Sequence, residues 1–442
     1  MPAHSAPVSN GATHYTAALR ITERKLLRSP SWFYGWNIVG YTLVVHFVTV
    51  GCAYYVFGAF LKPLTEALGT DRFTLSLAMS VQMVLAALLA PWLGARLNAA
   101  NFRTVLLAGG CITGLALAAS SLVQAPWQLY LTFGVMLAIG MTCNGVVPMN
   151  ALLANWFVAR RGAAMGIAQL GITLSGAVLV PLVTWVILEF GWRTAFVALG
   201  IAAPVLIVPL TMLFAVATPE QIGLHPDGAR EAPPPVASVA ADRSVLQLLR
   251  LPQVWMLAFA VGPCFMGIAS VILVLHSHAT DMGFSPLVAS TVVTAATLSG
   301  AIAKPAFGII SDFFPTRAVF ALSILLQAMG VTGLLFVSDY ELMIVTAIIF
   351  GVGFGPVAPL WSILVAELFG RDDFARVMGS MMPLTMPFNL IGLPVATLIF
   401  ERTGSYLPAF AGMLGFYAVA SISLWLLGRY SEPAQAMQPA QS

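Results

Sequence analysis

Gly94-Ala-Arg-Leu-Asn98-Ala-Ala-Asn-Phe-Arg103 and Gly308-Ile-Ile-Ser-Asp312-Phe-Phe-Pro-Thr-Arg317 are one pattern written twice. A glycine is followed by Asn or Asp and then by arginine, and each of the three is displaced by 214 residues. Met165-Gly166 returns as Met378-Gly379 after 213 residues, and Gly191-Trp-Arg-Thr-Ala-Phe196 is echoed by Gly404-Ser-Tyr-Leu-Pro-Ala-Phe410. One short match would be chance. Several at nearly one offset imply two halves related by a parallel repeat.

The solvent of those halves follows from composition. Of 442 residues, 59% are hydrophobic and only 8% charged, against about 25% charged in a soluble domain. Such a chain cannot clothe a surface in water, so it reads as an all-α integral membrane protein. Runs long enough to cross a bilayer, about 20 apolar residues each, fall at 36–60, 74–97, 104–123, 127–156, 163–188, 194–217, 254–279, 287–313, 318–337, 342–366, 376–400 and 406–428. Twelve transmembrane helices in two six-helix bundles result: 31–217 and 251–428. Residues 1–30 and 429–442 read as disordered tails. Residues 218–250, with the run Pro233-Pro234-Pro235 and mixed charges, read as a linker that lets the bundles rock.

Loop charge sets the orientation. With the N-terminus inside, fifteen of the 20 Lys and Arg lie in cytoplasmic segments, and only Lys62, Arg72, Arg193 and Arg402 lie outside. The positive-inside rule then puts both termini in the cytoplasm, with the chain in the cell's inner (plasma) membrane. The net charge of +3 belongs to those loops and implies no nucleic-acid partner. Cys52, Cys111, Cys143 and Cys264 all sit in apolar runs, where thiols behave as small hydrophobes, so no disulfide framework, metal site or cofactor is expected. The sequence carries no Walker loop, zinc spacing, dinucleotide fingerprint or nucleophile elbow. An enzyme is not expected.

The twentieth cation is Lys304, in Gly300-Ala301-Ile302-Ala303-Lys304-Pro305. It falls 17 residues into the run from Leu287, roughly 26 Å along a helix, so it lies inside the span. An ionisable residue at such depth is a functional-site hypothesis by default, and a buried cation points to an anion. Asp312 stands eight residues on, about 12 Å along the axis, too far for a direct pair.

The doubled loops resemble the signature that follows helices 2 and 8 in transporters of the major facilitator fold. Trp156-Phe-Val-Ala-Arg160-Arg161-Gly162-Ala-Ala-Met-Gly166, continuing through Gly171 and Gly176 to Pro181, is similar to the bacterial monocarboxylate transporter-like and oxalate/formate antiporter-like branch. Tyr34-Gly35-Trp36, Pro219-Glu-Gln-Ile-Gly-Leu-His-Pro-Asp-Gly228 and Thr403-Gly404-Ser405-Tyr406 add to the resemblance, which spans roughly 33–428.

The resemblance implies a secondary active transporter of a small carboxylate, working by alternating access; proton-coupled symport is the expectation, with carboxylate exchange and a gradient-driven uniport as open alternatives. Lys304-Pro305-Ala306-Phe307-Gly308 matches the family's Arg-Pro-x-x-Gly in helix 8, with lysine for the arginine that faces the carboxylate. Gly300 stands where animal members carry an acid implicated in proton coupling, and Tyr55 where some carry a lysine in helix 1. Helices 1, 4, 7, 8, 10 and 11 line the cavity in this fold. The substrate-binding candidates are therefore Lys304, His46, Tyr55, Asn144, Asn389 and Trp361, with Lys304 and His46 as proton carriers. Asn98, Arg103, Asp312 and Arg317 form the candidate cytoplasmic gate, weaker in the first half where Asn98 replaces an acid. The expected partners are a small organic anion, protons and the lipid bilayer, with the chain acting as a monomer. A drug or metabolite exporter of the same fold, or a non-transporting ligand sensor, is the alternative.

Overall fold

A computed structural model describes residues 32–229 and 244–436, and among them there is helix but no strand. The predicted tail over 1–30 lies outside the described residues, as do 230–243 of the linker and 437–442. Eleven helical stretches are long and apolar enough to cross a membrane. One of these, Arg161–Phe214, has 54 residues, about 80 Å of helix against a hydrocarbon core of about 30 Å. Gly191, the first residue of the Gly191-Trp-Arg motif, explains the excess: it takes φ 83 and ψ 160, a backbone that favours glycine, and there one crossing ends and the next begins.

Twelve crossings follow. They are α1 Gly35–Leu68, α2 Phe73–Arg96, α3 Phe102–Ser120, α4 Pro126–Trp156, α5 161–190, α6 192–214, α7 Pro252–Asp281, α8 Pro286–Ser311, α9 Thr316–Leu334, α10 Tyr340–Phe369, α11 Phe374–Thr403 and α12 Leu407–Ala436. Large apolar side chains such as Leu88, Leu115, Leu188, Ile302 and Leu325 stand exposed on them, as a surface facing lipid requires. Within each bundle, helices approach through small residues. Gly114 and Gly200 bring α3 onto α6, and Gly330 brings α9 onto Phe350 of α10.

Between the bundles, the glycine contacts all fall at the arginine-rich end. On α5, a Cβ added at Gly162 would run into the Gly308 carbonyl of α8, and one at Gly166 would come within 2.8 Å of the Lys304 carbonyl oxygen. On the other side, Gly94 of α2 abuts the Ala375 carbonyl of α11, and Gly379 of α11 abuts the Ala90 carbonyl of α2. The repeat equates Gly162 with Ala375, Gly166 with Gly379, Gly308 with Gly94 and Lys304-Pro305 with Ala90-Pro91. One backbone contact is thus made twice, and it closes this end of the molecule.

The first stretch of the linker is folded. Tight 3₁₀ turns over Pro219–Ile222 and Pro226–Gly228 lay it across the loops. Asp227, at φ 57, accepts from the backbone N–H groups of Val158, Ala159 and Arg160 at 2.8, 2.7 and 3.2 Å. Glu220 pairs with Arg371 at 2.7 Å, and Gln221 donates to the Ala99 carbonyl at 3.3 Å. Residues 218–229 therefore strap loops of both bundles, where a wholly flexible tether was expected.

Three of the helices are interrupted midway, besides a one-residue break near the start of α5 at Gln169. A π-helical turn, Gly51–Tyr55, breaks α1, and α4 breaks at Gly145 (φ −85, ψ −157) between Asn144 and Val146. The matching helix of the second half, α10, breaks between Phe354 and Val357, at Gly355-Pro356. Irregular backbone at membrane depth is tolerated where it borders protein or a cavity.

Candidate functional site

All three interruptions open onto one cavity of about 380 Å³ between the bundles. Its wall includes Tyr54 and Tyr55 from the turn in α1, Thr142, Gly145 and Val146 around the break in α4, and Phe354 and Gly355 at the break in α10. In carriers, discontinuous helices at the repeat interface typically form the binding site, and the same architecture occurs here. Further parts of the wall include Met83 and Ala90 of α2, Ile172 of α5, Phe265 of α7, Lys304 of α8, Trp361 of α10, and Met382, Thr385, Met386 and Asn389 of α11.

Among the described residues, Lys304 is the one charged residue of that wall, and no Asp or Glu lines it. The side chain is 9% exposed. Its ammonium donates to the Thr173 hydroxyl of α5 at 2.5 Å, across the boundary between the bundles. An ammonium has three N–H donors, and among the described residues Thr173 is its hydrogen-bond partner and no carboxylate pairs with it. The backbone explains the placement. Gly166 leaves room for the Lys304 carbonyl, while Pro305 lacks the N–H that would continue the helix ladder, so α8 meets α5 closely just where the lysine turns inward.

Of the predicted binding residues, Lys304, Tyr55, Asn389 and Trp361 share the cavity. The ring of Tyr55 packs over Gly176 of α5, 2.8 Å from where a Cβ would stand. Asn389 donates weakly to the Thr385 carbonyl of its own helix at 3.5 Å. Trp361, 3% exposed, lies edge-on to Phe265 with ring centroids 5.7 Å apart. His46 and Asn144 are not in the wall. Both are fully buried, and neither shows a hydrogen-bond partner for its side-chain polar atoms. Asn144 turns toward Gly109 of α3, while His46 lies within electrostatic reach of Lys304. Thr173, Tyr54 and the methionines were not predicted. A threonine or methionine in an apolar span carries no signal that separates a cavity wall from lipid or core.

The four loop residues divide likewise. Asp312 crosses between bundles: its carboxylate accepts from the Gly162 and Ala163 N–H groups at 2.6 and 3.0 Å, capping the start of α5 from the opposite half. Asn98 turns home. Its oxygen accepts from Ala100 and Asn101, and its amide donates to the Arg96 carbonyl. Arg103 donates to the Met212 carbonyl of α6, and Arg317 lies against Gly428 of α12, so each arginine braces its own bundle. Burial pushes the Asp312 carboxyl above its ordinary value, against the opposing pull of the Ala163 and Gly162 N–H groups and Arg161.

The comparisons agree with this architecture. The sequence profile of the Major Facilitator Superfamily matches twice, over residues 43–279 and 257–441. Monocarboxylate transporter 4 of Rattus norvegicus is 26% identical over 414 residues, covering 91% of this chain and 85% of that one. Monocarboxylate transporter 2 of Homo sapiens is 24% identical over 424 residues, covering 90% and 86%. Among solved structures, the E. coli fucose:proton symporter superposes with a TM-score of 0.64 at 14% identity, covering 88% of this chain and 99% of its own. A major facilitator transporter in the outward conformation reaches 0.67 at 13% identity, with the same coverage. At such identity these two bear on the fold alone. With profile matches that together run through both halves, this chain, a multi-pass membrane protein, belongs to the Major Facilitator Superfamily.

Proposed function

We propose that the protein carries a small organic carboxylate across the cell's inner (plasma) membrane by alternating access, coupled to protons. One observation carries this reading. Among the described residues, Lys304 is the lone charge of a cavity between two bundles, held by one hydroxyl and by no carboxylate. An unpaired buried cation costs several kcal/mol, and a bound carboxylate removes that cost. The names of the similar monocarboxylate transporters support the same substrate class.

The position of the lysine couples binding to movement. Its carbonyl packs on Gly166 and its ammonium reaches Thr173, both on α5. An anion that draws the ammonium toward the cavity acts directly on the α5–α8 contact that shuts the arginine-rich end. Loop charge assigns that end to the cytoplasm, so the closed state faces outward. An acid at position 300 has no room, since a Cβ there would meet the ring of Phe354 at 2.8 Å and the Gly351 carbonyl at 3.0 Å. The proton is therefore carried by Lys304 or by His46 behind it.

The test is uptake of a labelled carboxylate panel by proteoliposomes, with and without an inward proton gradient, for the wild type and Lys304→Ala. Accumulation driven by the gradient and lost in the variant is the expected result. Transport that survives Lys304→Ala sinks the anion site, and indifference to the gradient removes the proton coupling.

A further inference from the structure

Resting on the carboxylate reading, the wall of the cavity narrows the substrate further. We infer that it is a monoanion with a bulky apolar body, best an aromatic ring, rather than a three-carbon acid or a dicarboxylate.

Charge comes first. Among the described residues Lys304 is the single cation of the wall, with no second one for another carboxylate to meet. A dianion would leave one carboxylate against Phe, Met and Ala side chains, where an ion without a partner is strongly disfavoured. A lysine also offers a point charge rather than the planar fork that grips carboxylates bidentately. It holds one end of the ligand without fixing the plane of the rest. The selection for the body must come from the remaining wall.

That wall is apolar and adaptable. Phe265, Phe354 and Trp361 face the cavity from α7 and α10, with Met382 and Met386 from α11 and Met83 from α2. Thioethers pack against rings and adjust to irregular shapes, and aromatic pairs add edge-to-face contacts of the kind Phe265 and Trp361 already make. The hydroxyl of a short hydroxy acid would find few partners here: Thr142, Thr385, Asn389 and the tyrosine hydroxyls are the polar groups apart from Lys304 and the buried indole of Trp361. The volume of about 380 Å³ falls within the roughly 300–1,000 Å³ range of pockets for drug-sized ligands. A three-carbon acid leaves most of it to water, whereas a ring fills it and buries apolar area.

The experiment measures binding to the full-length protein in detergent by quenching of tryptophan fluorescence and by thermal shift, with benzoate, phenylacetate, lactate, succinate and uncharged benzamide as probes. Phenylacetate or benzoate should bind about tenfold or more tighter than lactate or succinate, the ratio expected when a ring is buried against such a wall. Benzamide should not bind, and Lys304→Ala should lose the aromatic acids. Phe265→Leu should narrow the preference for the ring while retaining lactate affinity, which also shows that the variant is folded. If lactate or succinate binds as tightly as the aromatic acids and still needs Lys304, this inference falls and the carboxylate site stands. If benzamide matches benzoate, or Lys304→Ala binds the aromatic acids normally, the carboxylate reading falls with it. If no acid binds, both fall.

Discussion

The loops after α2 and α8 share a pattern and a backbone, yet they do different things. Both deliver a glycine that lets two helices touch across the bundle boundary, at Gly94 and at Gly308. Only the second reaches across with a side chain. A carboxylate has acceptors alone, and Asp312 finds two backbone donors at the start of α5. Asn98 carries an acceptor and a donor, and it satisfies both within its own loop. One turn deeper the pattern repeats: Ala90-Pro91 and Lys304-Pro305 occupy equivalent places, and only one bears a charge. The two boundaries are alike in shape and unlike in electrostatics. The close backbone approach is shared between them, while the buried cation and the carboxylate cap sit on the α5–α8 side.

The sharpest way to break that asymmetry is to move the cation. Lys304→Ala should lower carboxylate uptake by about a hundredfold or more, since orphaning a buried charged partner costs roughly 3–5 kcal/mol. Adding Ala90→Lys, which puts a lysine into the same cavity from the other bundle, should not restore uptake, because Thr173 and the α5 contact are absent there. Recovery to even a tenth of wild type would mean that any cation in the cavity suffices. Next in size, Gly162→Ala and Gly94→Ala should each open the arginine-rich end, because the added methyl meets a carbonyl on the facing helix. Overpacking of this kind costs about 1–3 kcal/mol, and maleimide labelling of Ser311→Cys in each background reads the shift. Unequal effects would show that the two boundaries are not equivalent in shape.

Smaller effects are expected at the loop side chains. Asp312→Ala leaves two helix N–H groups without their acceptor, a loss of about 0.5–2 kcal/mol for a cap, so labelling at Ser311→Cys should rise severalfold. Asn98→Asp should move the balance the other way by less, and unchanged labelling would count against a locking role for that position. The smallest effect is with pH. Because burial raises the Asp312 carboxyl in the closed state, protonation favours closing. That contribution is fully present below the ordinary aspartate value of about 3.9 and is lost as pH rises through the raised one. Corrected for the rising thiolate fraction of the probe cysteine, labelling should increase over that window in the wild type and stay flat in Asp312→Ala.

Much of the architecture was legible before any coordinates. The doubled loops and apolar runs gave twelve crossings, and Gly191 resolves the one long stretch where α5 and α6 abut. Lys304 stood out because charge is rare in an apolar run. The rest of the site was less legible, for physical reasons. His46 and Asn144 are polar residues in apolar spans, as a ligand-binding residue would be, but burial sets them behind the wall. Thr173 looks like any small polar residue that bonds its own helix. The folded strap did leave a mark in the sequence. His225-Pro226-Asp227-Gly228 is a turn pattern in which Asp tolerates positive φ and offers its carboxylate to nearby N–H groups, as Asp227 does.

The glycine boundaries carry a kinetic consequence. When two surfaces meet through side chains, each rotamer-rich chain that becomes fixed costs about 0.5–1.5 kcal/mol of entropy, and the search for a fitting arrangement takes time. Gly166, Gly94 and Gly379 bring bare backbone against backbone, and at Gly162 only Ser311 and Asp312 add side chains to the contact. Shutting this end therefore resembles laying two ready-made ribs together more than solving a jigsaw.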